Sequence, residues 1–429
     1  MMIRSRTRAR LLHATGAVLV LVLGLTACGS SSSGSKQSSS TTESASSGPV
    51  RGFDGTTVKL AGIGIKAQLP GSEWGARARI KRFNDTNEIK GVKLEYEEFV
   101  DDKFDPAVAL SEVRRLVTQT KVFALVGDVT PVSPGAYTKE QHVPVFGYAF
   151  DNSYCSQEPD PTIWSFGFIG CVVPDNPKTL PDNLVELYDY ASKELGTPHP
   201  TIALFNTDTA SGHKSSDNAL ITLKGDGFDT LPALPIIPPP PVTDYTPFVQ
   251  RILTSDHGHA PQVVACYAAT DCVPMWLQMK AAGFKGIFYH TIYADQLVKP
   301  MAGTVVGVGW ANFADPTPAV TQLSDDVKAV KADQGLDIGV AAGYFSTDMF
   351  ISALKKAYAK DGVKGITPEK VRAAASTMTW EIKGLVGPTK YPESSVKPTP
   401  ACGTLAKSDG TSWKTLIPFT CASRSFPVK

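Results

Sequence analysis

Between residues 57 and 146 the hydrophobic positions follow two alternating patterns. Short apolar runs recur, and residues 122–127 (VFALVG) lack polar alternation, which is typical of a central parallel strand. Between these runs apolar residues have helical spacing, as at Ala76, Ile80 and Phe83. This order predicts an α/β fold with a doubly wound parallel sheet. The predicted strands are residues 57–65, 92–100, 122–127 and 143–146, and the predicted helices are residues 75–84, 106–120 and 133–142.

The alternation begins again after residue 180, which predicts a second α/β lobe with its own sheet. Residues 235–242 are rich in proline and are predicted to form an extended surface connection, not a core strand. From Lys390 onward the chain is Pro-rich and has few periodic signals. The predicted strands are residues 201–205, 262–266, 286–289 and 304–310, and the predicted helices are residues 180–195, 215–224, 246–254, 273–282, 346–359 and 367–375.

The first 27 residues have the features of an export signal. Four arginines within the first ten residues precede a mostly apolar run at residues 11–25, which is shorter than the roughly 20 residues of a membrane span. Residues 25–28 (LTAC) resemble a bacterial lipobox, in which the cysteine is lipidated and the chain is cut just before it. The alternative is a surplus cysteine in a cleaved signal. We therefore predict a signal peptide at residues 1–27 and a Ser-rich tether, lipidated on Cys28, at residues 28–55.

Composition and charge exclude some classes of protein. The chain has 42 basic and 41 acidic residues, so it lacks the basic excess expected of a nucleic-acid-binding protein. Roughly 400 residues remain after the signal, enough for two or three domains. No later apolar run approaches the length of a membrane span, so we expect contact with the membrane only through the lipid anchor.

Six cysteines remain once Cys28 is set aside. Export would place them in an oxidising compartment, where an even number favours disulfides, and six cysteines allow fifteen pairings. They form three local couples along the chain, and no CxxC spacing or neighbouring histidine cluster suggests zinc. Our hypothesis is therefore three local disulfides and no metal. The hypothetical pairs are Cys155–Cys171, Cys266–Cys272 and Cys402–Cys421.

Several segments, in order along the chain, resemble the type I extracellular solute-binding family, whose best-known members are the leucine/isoleucine/valine-binding proteins of ABC importers. The first is VKLEYEEFVDDKFDPAVALSEVRRLV followed by VFALVGDV, which contains Asp101, Asp102, Pro106 and Gly127 of the family pattern. The others are TDYTPFVQRI, MKAAGFKGIFY and IKGLVGPTKY. Each match is weak by itself, whereas their order and spacing are specific.

The resemblance implies two Rossmann-like lobes joined by a multi-strand hinge, which close over a ligand. It places lobe one at residues 56–168 and 312–400, and lobe two at residues 169–311 and 401–429. Ligands of such open sheets bind beyond the carboxyl ends of the strands, and closure shifts an equilibrium between open and closed forms.

Candidate ligand-binding residues follow from these strand ends and from the resemblance. Pro131 lacks an N–H group, Asp151 stands where the family usually has threonine, and Ile292 stands where amino-acid binders usually have an acid. These departures argue against a simple α-amino acid. Aromatic residues near the expected mouth suggest a partly apolar or aromatic molecule, with Asp128 or Asp151 meeting a donor group. The candidates are Trp74, Asp128, Thr130, Tyr148, Ala149, Phe150, Asp151, Ser211, Tyr267 and Tyr293.

For each aromatic candidate the alternative is packing in the core or hinge, and for Asp128 it is helix capping. The resemblance predicts a monomeric, extracytoplasmic solute-binding subunit that is anchored by lipid and delivers its ligand to an ABC permease, without a cofactor. One alternative is a branched-chain amino acid or amide binder of the same family. The others are a ligand-sensing or an enzymatic envelope lipoprotein, although HExxH, GxSxG and Walker A motifs are absent from the sequence.

Overall fold

The computed structural model describes residues 49–132, 134–182, 185–239, 241–398, 402–421 and 424–428. Cys28, the predicted signal peptide and most of the predicted tether lie outside the described residues. Residues Pro49–Lys429 form a compact unit. None of the helices in the described ranges has the length and apolar composition of a membrane-spanning segment.

The first part of the chain forms a five-stranded sheet in which all strands are parallel, in the order β2-β1-β3-β4-β5. Asp105 begins the second helix as its cap by accepting from the N–H groups of Ala107 and Val108, with Pro106 in the first turn. That helix continues into a π-helical turn at Leu116–Thr120. The elements are β1 (Thr57–Gly64), α1 (Gly71–Thr86), β2 (Lys93–Asp101), α2 (Pro106–Arg115), β3 (Ala124–Asp128), α3 (Gly135–Glu140), β4 (Val145–Gly147) and β5 (Ser165–Gly167).

The middle of the chain builds most of a second, larger sheet. Its parallel core follows the order β12-β11-β10-β7, and two short strands, β8 and β9, pair with the outer edge of β7. The elements are β6 (Thr179–Pro181), α4 (Val185–Leu195), β7 (Thr201–Thr207), α5 (Ala210–Asp226), β8 (Asp229–Thr230), β9 (Leu234–Ile237), α6 (Thr246–Leu253), β10 (Val263–Cys266), α7 (Cys272–Ala281), β11 (Ile287–His290) and β12 (Val305–Val308).

The last part of the chain contributes to both sheets. Its longest helix, α9, packs on α1, β3 and β4 of the first sheet. The strands β15 and β16 then extend the second sheet antiparallel to β12. The elements are α8 (Pro318–Lys328), α9 (Ile338–Asp361), α10 (Pro368–Ala375), β13 (Thr379–Ile382), β14 (Val386–Lys390), β15 (Cys402–Ser408), β16 (Trp413–Cys421) and β17 (Ser425–Pro427).

We call the sheet β1–β5 with its helices the first lobe, and the sheet built from β7–β12, β15 and β16 with its helices the second lobe. The two faces of the second sheet have separate cores. Leu204, Ala265 and Tyr289 lie on the face beside α4 and α5, whereas Phe205 and Phe288 lie on the opposite face. This alternation is the period-2 pattern of buried strands covered by helices on both faces. The predicted doubly wound α/β fold is confirmed.

Three disulfides are present, and they join the cysteine pairs of our sequence-based hypothesis. Cys155–Cys171 connects the segments that follow β4 and β5, and Cys402–Cys421 joins β15 to β16. Cys266–Cys272 closes the turn between β10 and α7, with a sequence separation of 6 residues. Each bond therefore fixes a local segment near the ends of buried strands.

The structure corrects two predictions and adds strands in the tail. Residues 235–242 are not only a surface connection, because β9 pairs with β7 and buries Ile236 and Ile237. Proline is tolerated there since β9 is an edge strand. The helix predicted at residues 180–195 begins only at Val185, because Leu180 lies in β6 and pairs with β17. The C-terminal tail, which has few periodic signals, supplies three strands that are stabilised by distant partners.

Candidate functional site

A cavity of about 320 Å³ lies where the carboxyl ends of the two parallel sheets meet. The first lobe contributes Val129, which follows β3, and Tyr148, which follows β4. The second lobe contributes Asn206 at the end of β7, Tyr267 after β10 and Thr291 after β11. Crevices beyond the carboxyl ends of parallel strands are the usual ligand sites of such folds, and this volume suits a small molecule. We call this cavity the cleft.

The lining of the cleft is apolar and neutral. Its described residues include no aspartate, glutamate, lysine, arginine or histidine. Aliphatic and aromatic side chains alternate with hydroxyl and amide groups such as those of Thr207, Ser215 and Asn218. A formal charge on a ligand would therefore lose its hydration without meeting an opposite charge, which is costly.

Aromatic rings form part of the wall on both sides. Tyr148 stacks on Phe150 with their ring centroids 4.3 Å apart, and its edge faces Phe168 at 5.4 Å. Across the cleft, Tyr267 lies 6.3 Å from Tyr289. Burial raises the pKa of the Tyr148 and Tyr267 phenols, so both hydroxyls stay protonated and can donate.

The second lobe builds a polar edge at the start of α5. The hydroxyl of Thr209 caps this helix by accepting from the Gly212 N–H at 3.0 Å. The Asn206 side chain donates to the Gly212 carbonyl at 3.1 Å, which ties the end of β7 to the first turn of α5. A Cβ at Gly212 would lie 2.0 Å from the Thr207 carbonyl oxygen, so only glycine permits this close approach.

Four of the ten ligand-binding candidates line the cleft. They are Tyr148, Phe150, Ser211 and Tyr267. Tyr148 follows β4 and was predicted from that strand end, whereas Ser211 and Tyr267 were predicted from the family resemblance. The other six do not appear in the lining, and their surroundings explain why.

Asp128 and Thr130 belong to a buried network inside the first lobe. The Tyr154 hydroxyl donates to Asp128 Oδ2 at 2.6 Å, and the Thr130 N–H donates to Asp128 Oδ1 at 2.9 Å. Burial and the nearby Asp151 carboxylate raise the pKa of Asp128 to about 8. Asp128 therefore organises the turn after β3 instead of facing the cleft, and it caps no helix.

The remaining four candidates also have structural surroundings. Trp74 lies on α1 beneath the Lys331 ammonium, which is 5.8 Å from the ring centroid. Ala149 is fully buried, and Asp151 accepts from the Ser153 N–H at 2.6 Å. Tyr293 is buried against Phe313 and Trp413 with centroids 5.3 and 5.7 Å away. Each of these four residues is thus buried or contacts other groups of the protein.

Several lining residues were not among the candidates. Asn206 follows the apolar run of β7 directly and Thr209 lies three residues further on, so the strand-end rule could have found them. Thr404 comes from the C-terminal tail, where the sequence has few periodic signals. Its buried hydroxyl has no hydrogen-bond partner among the residues that the structure describes. Within the same ranges, no cluster of three or more His, Cys, Asp or Glu side chains is placed to hold a metal ion.

Residues 58–409 match the family model of the periplasmic binding proteins. No curated protein sequence is significantly similar to the chain.

Solved structures share the fold at low sequence identity. A fatty acid ABC transporter substrate-binding protein from Thermomonospora curvata is 16% identical with a TM-score of 0.69, over 87% of this chain and 95% of that one. A possible leucine/isoleucine/valine-binding protein from Rhodopirellula baltica is 15% identical with a TM-score of 0.66, over 86% and 98%. A branched-chain amino acid ABC transporter protein from Thermus thermophilus, solved with bound valine, is 14% identical with a TM-score of 0.64, over 86% and 97%.

Proposed function

The chain belongs to the periplasmic binding protein family, and from this premise we propose that it is the solute-binding subunit of an ABC importer. It binds one small molecule between its two lobes and delivers it to a membrane permease, without catalysing a reaction. The support is the cleft at the carboxyl ends of both sheets together with the similarity to substrate-binding proteins of ABC transporters.

The proposed ligand is a partly apolar or aromatic molecule without a zwitterionic head. The single observation that carries this choice is the absence of charged side chains from the described cleft lining. An amino acid would place an ammonium and a carboxylate in this neutral site, and neither would find an ionic partner. The Thermomonospora curvata protein, described as a fatty acid binder, is consistent with an apolar ligand class.

A branched-chain amino acid is the second candidate, because the Thermus thermophilus structure of the same fold holds valine. Isothermal titration calorimetry decides between the two. We expect micromolar binding of neutral or weakly polar compounds such as aromatic amides and aliphatic alcohols, and none of leucine, isoleucine or valine. Micromolar binding of those amino acids would overturn the proposed ligand class.

A substitution in the cleft wall tests where the ligand binds. Tyr267→Ala removes an aromatic lining residue, so the affinity for the bound apolar compound should fall about tenfold or more. Tyr190→Ala is the matched control, because Tyr190 belongs to the same lobe but accepts a hydrogen bond from Lys407 outside the cleft. Equal affinities of the two variants would show that the ligand binds elsewhere.

We also propose that Cys28 carries the lipid that keeps the protein at the outer face of the cell membrane. The support is the lipobox-like segment LTAC at the end of an export signal. Cys28→Ser should abolish the incorporation of labelled fatty acid into the protein, whereas Ser30→Ala should leave the incorporation unchanged. Labelled fatty acid on Cys28→Ser would contradict lipidation at Cys28.

A further inference from the structure

The cavity does not end at the cleft but continues into the interior of the second lobe. Its lining includes Leu187 of α4, Thr222 of α5, Tyr289 of β11 and Leu405 of β15. These four side chains are 0%, 3%, 1% and 3% exposed, so this narrow part of the cavity lies in the interior of the lobe. We call it the inner channel.

The inner channel lies between the second sheet and α5. Ser211, Ser215, Ala219 and Thr222 line it, and their spacing places them on one face of that helix. Ser211 and Thr222 are three turns apart, about 16 Å along the helix axis. A helix that covers a sheet normally presents large apolar side chains. Here small side chains leave space, and the next residue, Leu223, is a fully buried core residue.

The register of the strands that line the channel gives its depth below the strand ends. Tyr289 pairs with Ala265, which in turn pairs with Leu204, two residues before Asn206 at the cleft end of β7. The channel therefore reaches about 7 Å below the strand ends on this side. Gly307 leaves room for the Tyr289 side chain along the sheet, since a Cβ there would lie 2.3 Å from its hydroxyl oxygen.

Two polar side chains in the wall of the channel already form hydrogen bonds within the protein. The Thr222 hydroxyl donates to the Ala219 carbonyl at 2.9 Å, and the Asn218 amide donates to the Pro174 carbonyl at 3.2 Å. Their polar groups are thus satisfied by the protein. The buried hydroxyl of Thr404 has no partner among the described residues, and Thr404 pairs with Val308 at the cleft end of β12. A polar ligand atom fits at that junction, and a hydrocarbon fits below it.

We infer that the inner channel accepts a single extended hydrocarbon chain, while the polar end of the ligand stays in the cleft near Thr404. This inference rests on the proposed function, because it defines the ligand as an amphipathic molecule with an unbranched tail. Charged tails are excluded since the described lining is neutral, and bulky fused rings are disfavoured by a passage that follows one helix face.

Calorimetric titration with hexanol, octanol and decanol, all straight-chain primary alcohols, tests the inference. Every sample is the mature chain from residue 28 with Cys28→Ser, produced without the signal peptide, so that no detergent competes for the channel. Each buried methylene is worth about fourfold in affinity, so decanol should bind at least tenfold more tightly than hexanol. A constant affinity along the series would overturn the channel but leave the proposed ligand class standing. Absence of binding by all three alcohols and by the aromatic amides would overturn the proposed ligand class itself.

Blocking the channel gives an independent readout. Ala219→Phe should reduce decanol affinity at least tenfold and leave hexanol affinity within twofold. Asp217→Phe is the matched control, because Asp217 is on the exposed face of the same helix. Should Ala219→Phe fail to fold, Ser215→Leu tests the same passage nearer its mouth. Unchanged decanol affinity in a folded blocking variant would contradict the inference.

A crystal structure with decanol that carries a terminal bromine locates the tail directly. The anomalous peak of bromine is expected between Leu187, Thr222 and Leu405. A peak at the mouth beside Tyr148 would overturn insertion of the tail into the second lobe.

Discussion

The strand ends of the first lobe and those of the second lobe use polar residues differently. After β3 and β4, Asp128, Thr130 and Asp151 hydrogen-bond to their own turns and to Tyr154, away from the cleft lining. After β7 and in α5, polar residues such as Asn206 and Ser211 line the cleft. Polar side chains that follow a strand can thus either build the turn or face a ligand. We therefore propose that the first set mainly stabilises the fold and that the second set mainly contacts the ligand.

Large effects are expected from the disulfides. Replacing Cys155 and Cys171 with alanine should lower the free energy of unfolding by about 3 kcal/mol, and replacing Cys266 and Cys272 by about 2 kcal/mol, because the second bond closes a shorter loop. Urea denaturation measures both. Since the second bond also closes the turn that carries Tyr267, ligand affinity should fall about tenfold in that variant. Unchanged ligand affinity in the Cys266 and Cys272 variant would show that this turn does not contribute to ligand binding.

Tyr154→Phe tests the structural role of the polar residues after β3 and β4. It removes the hydroxyl group that donates to the buried Asp128 carboxyl group. We expect the free energy of unfolding to fall by about 2 kcal/mol, because Asp128 loses its 2.6 Å hydrogen bond in the interior. Ligand affinity should stay within twofold. Tyr358→Phe, at a partly exposed tyrosine of α9, is the control for denaturation. A large loss of affinity in Tyr154→Phe would break the distinction between the two lobes.

The pH dependence of stability provides a third test. Burial raises the pKa of Asp128 from 3.8 to about 8, so the folded protein holds this proton more tightly than the unfolded chain. Its contribution is complete below about pH 4 and is lost as the pH rises through about 8, with a slope of at most about 1.4 kcal/mol per pH unit. Asp128→Asn should flatten the profile in this window. Asp226 and Asp337, whose pKa values are also raised, to about 8 and about 6, leave a residual slope.

Denaturation midpoints of wild type and Asp128→Asn between pH 4 and pH 8 give this comparison. Profiles with the same slope would show that Asp128 does not take up its proton on folding.

The smallest effect is expected at the cap of α5. Thr209→Ala removes the acceptor for the Gly212 N–H and should lower the free energy of unfolding by about 1 kcal/mol. Because this cap lies in the cleft wall, ligand affinity should fall a few-fold as well. Thr367→Ala, which removes the cap of α10 outside the cleft, should cost similar stability without a change in affinity. Equal affinities of the two variants would contradict the role of the α5 cap.

Local sequence patterns predicted the elements whose structure depends on residues close together in the sequence. The apolar run TIALF and the Asp105-Pro106 start of α2 correspond to β7 and to a capped helix in the structure. Tyr148 lies in the cleft lining beyond a strand end that is readable from its apolar run, and its contact with a ligand stays a prediction. The orientation of Asp128 was not readable, because it depends on Tyr154, which is 26 residues away along the chain.

The sequence by itself determined the doubly wound α/β fold and the three local disulfides, since both follow from periodicity and spacing over short stretches. Only the tertiary structure decided that β15 and β16 complete the second sheet and that β9 is a strand, because their hydrogen bonds run to distant partners. It also decided the neutral lining of the cleft and the inner channel. A cavity is the space that packed elements leave between them. The small residues along α5 are visible in the sequence, but only the packing of this helix on the second sheet shows that they leave space.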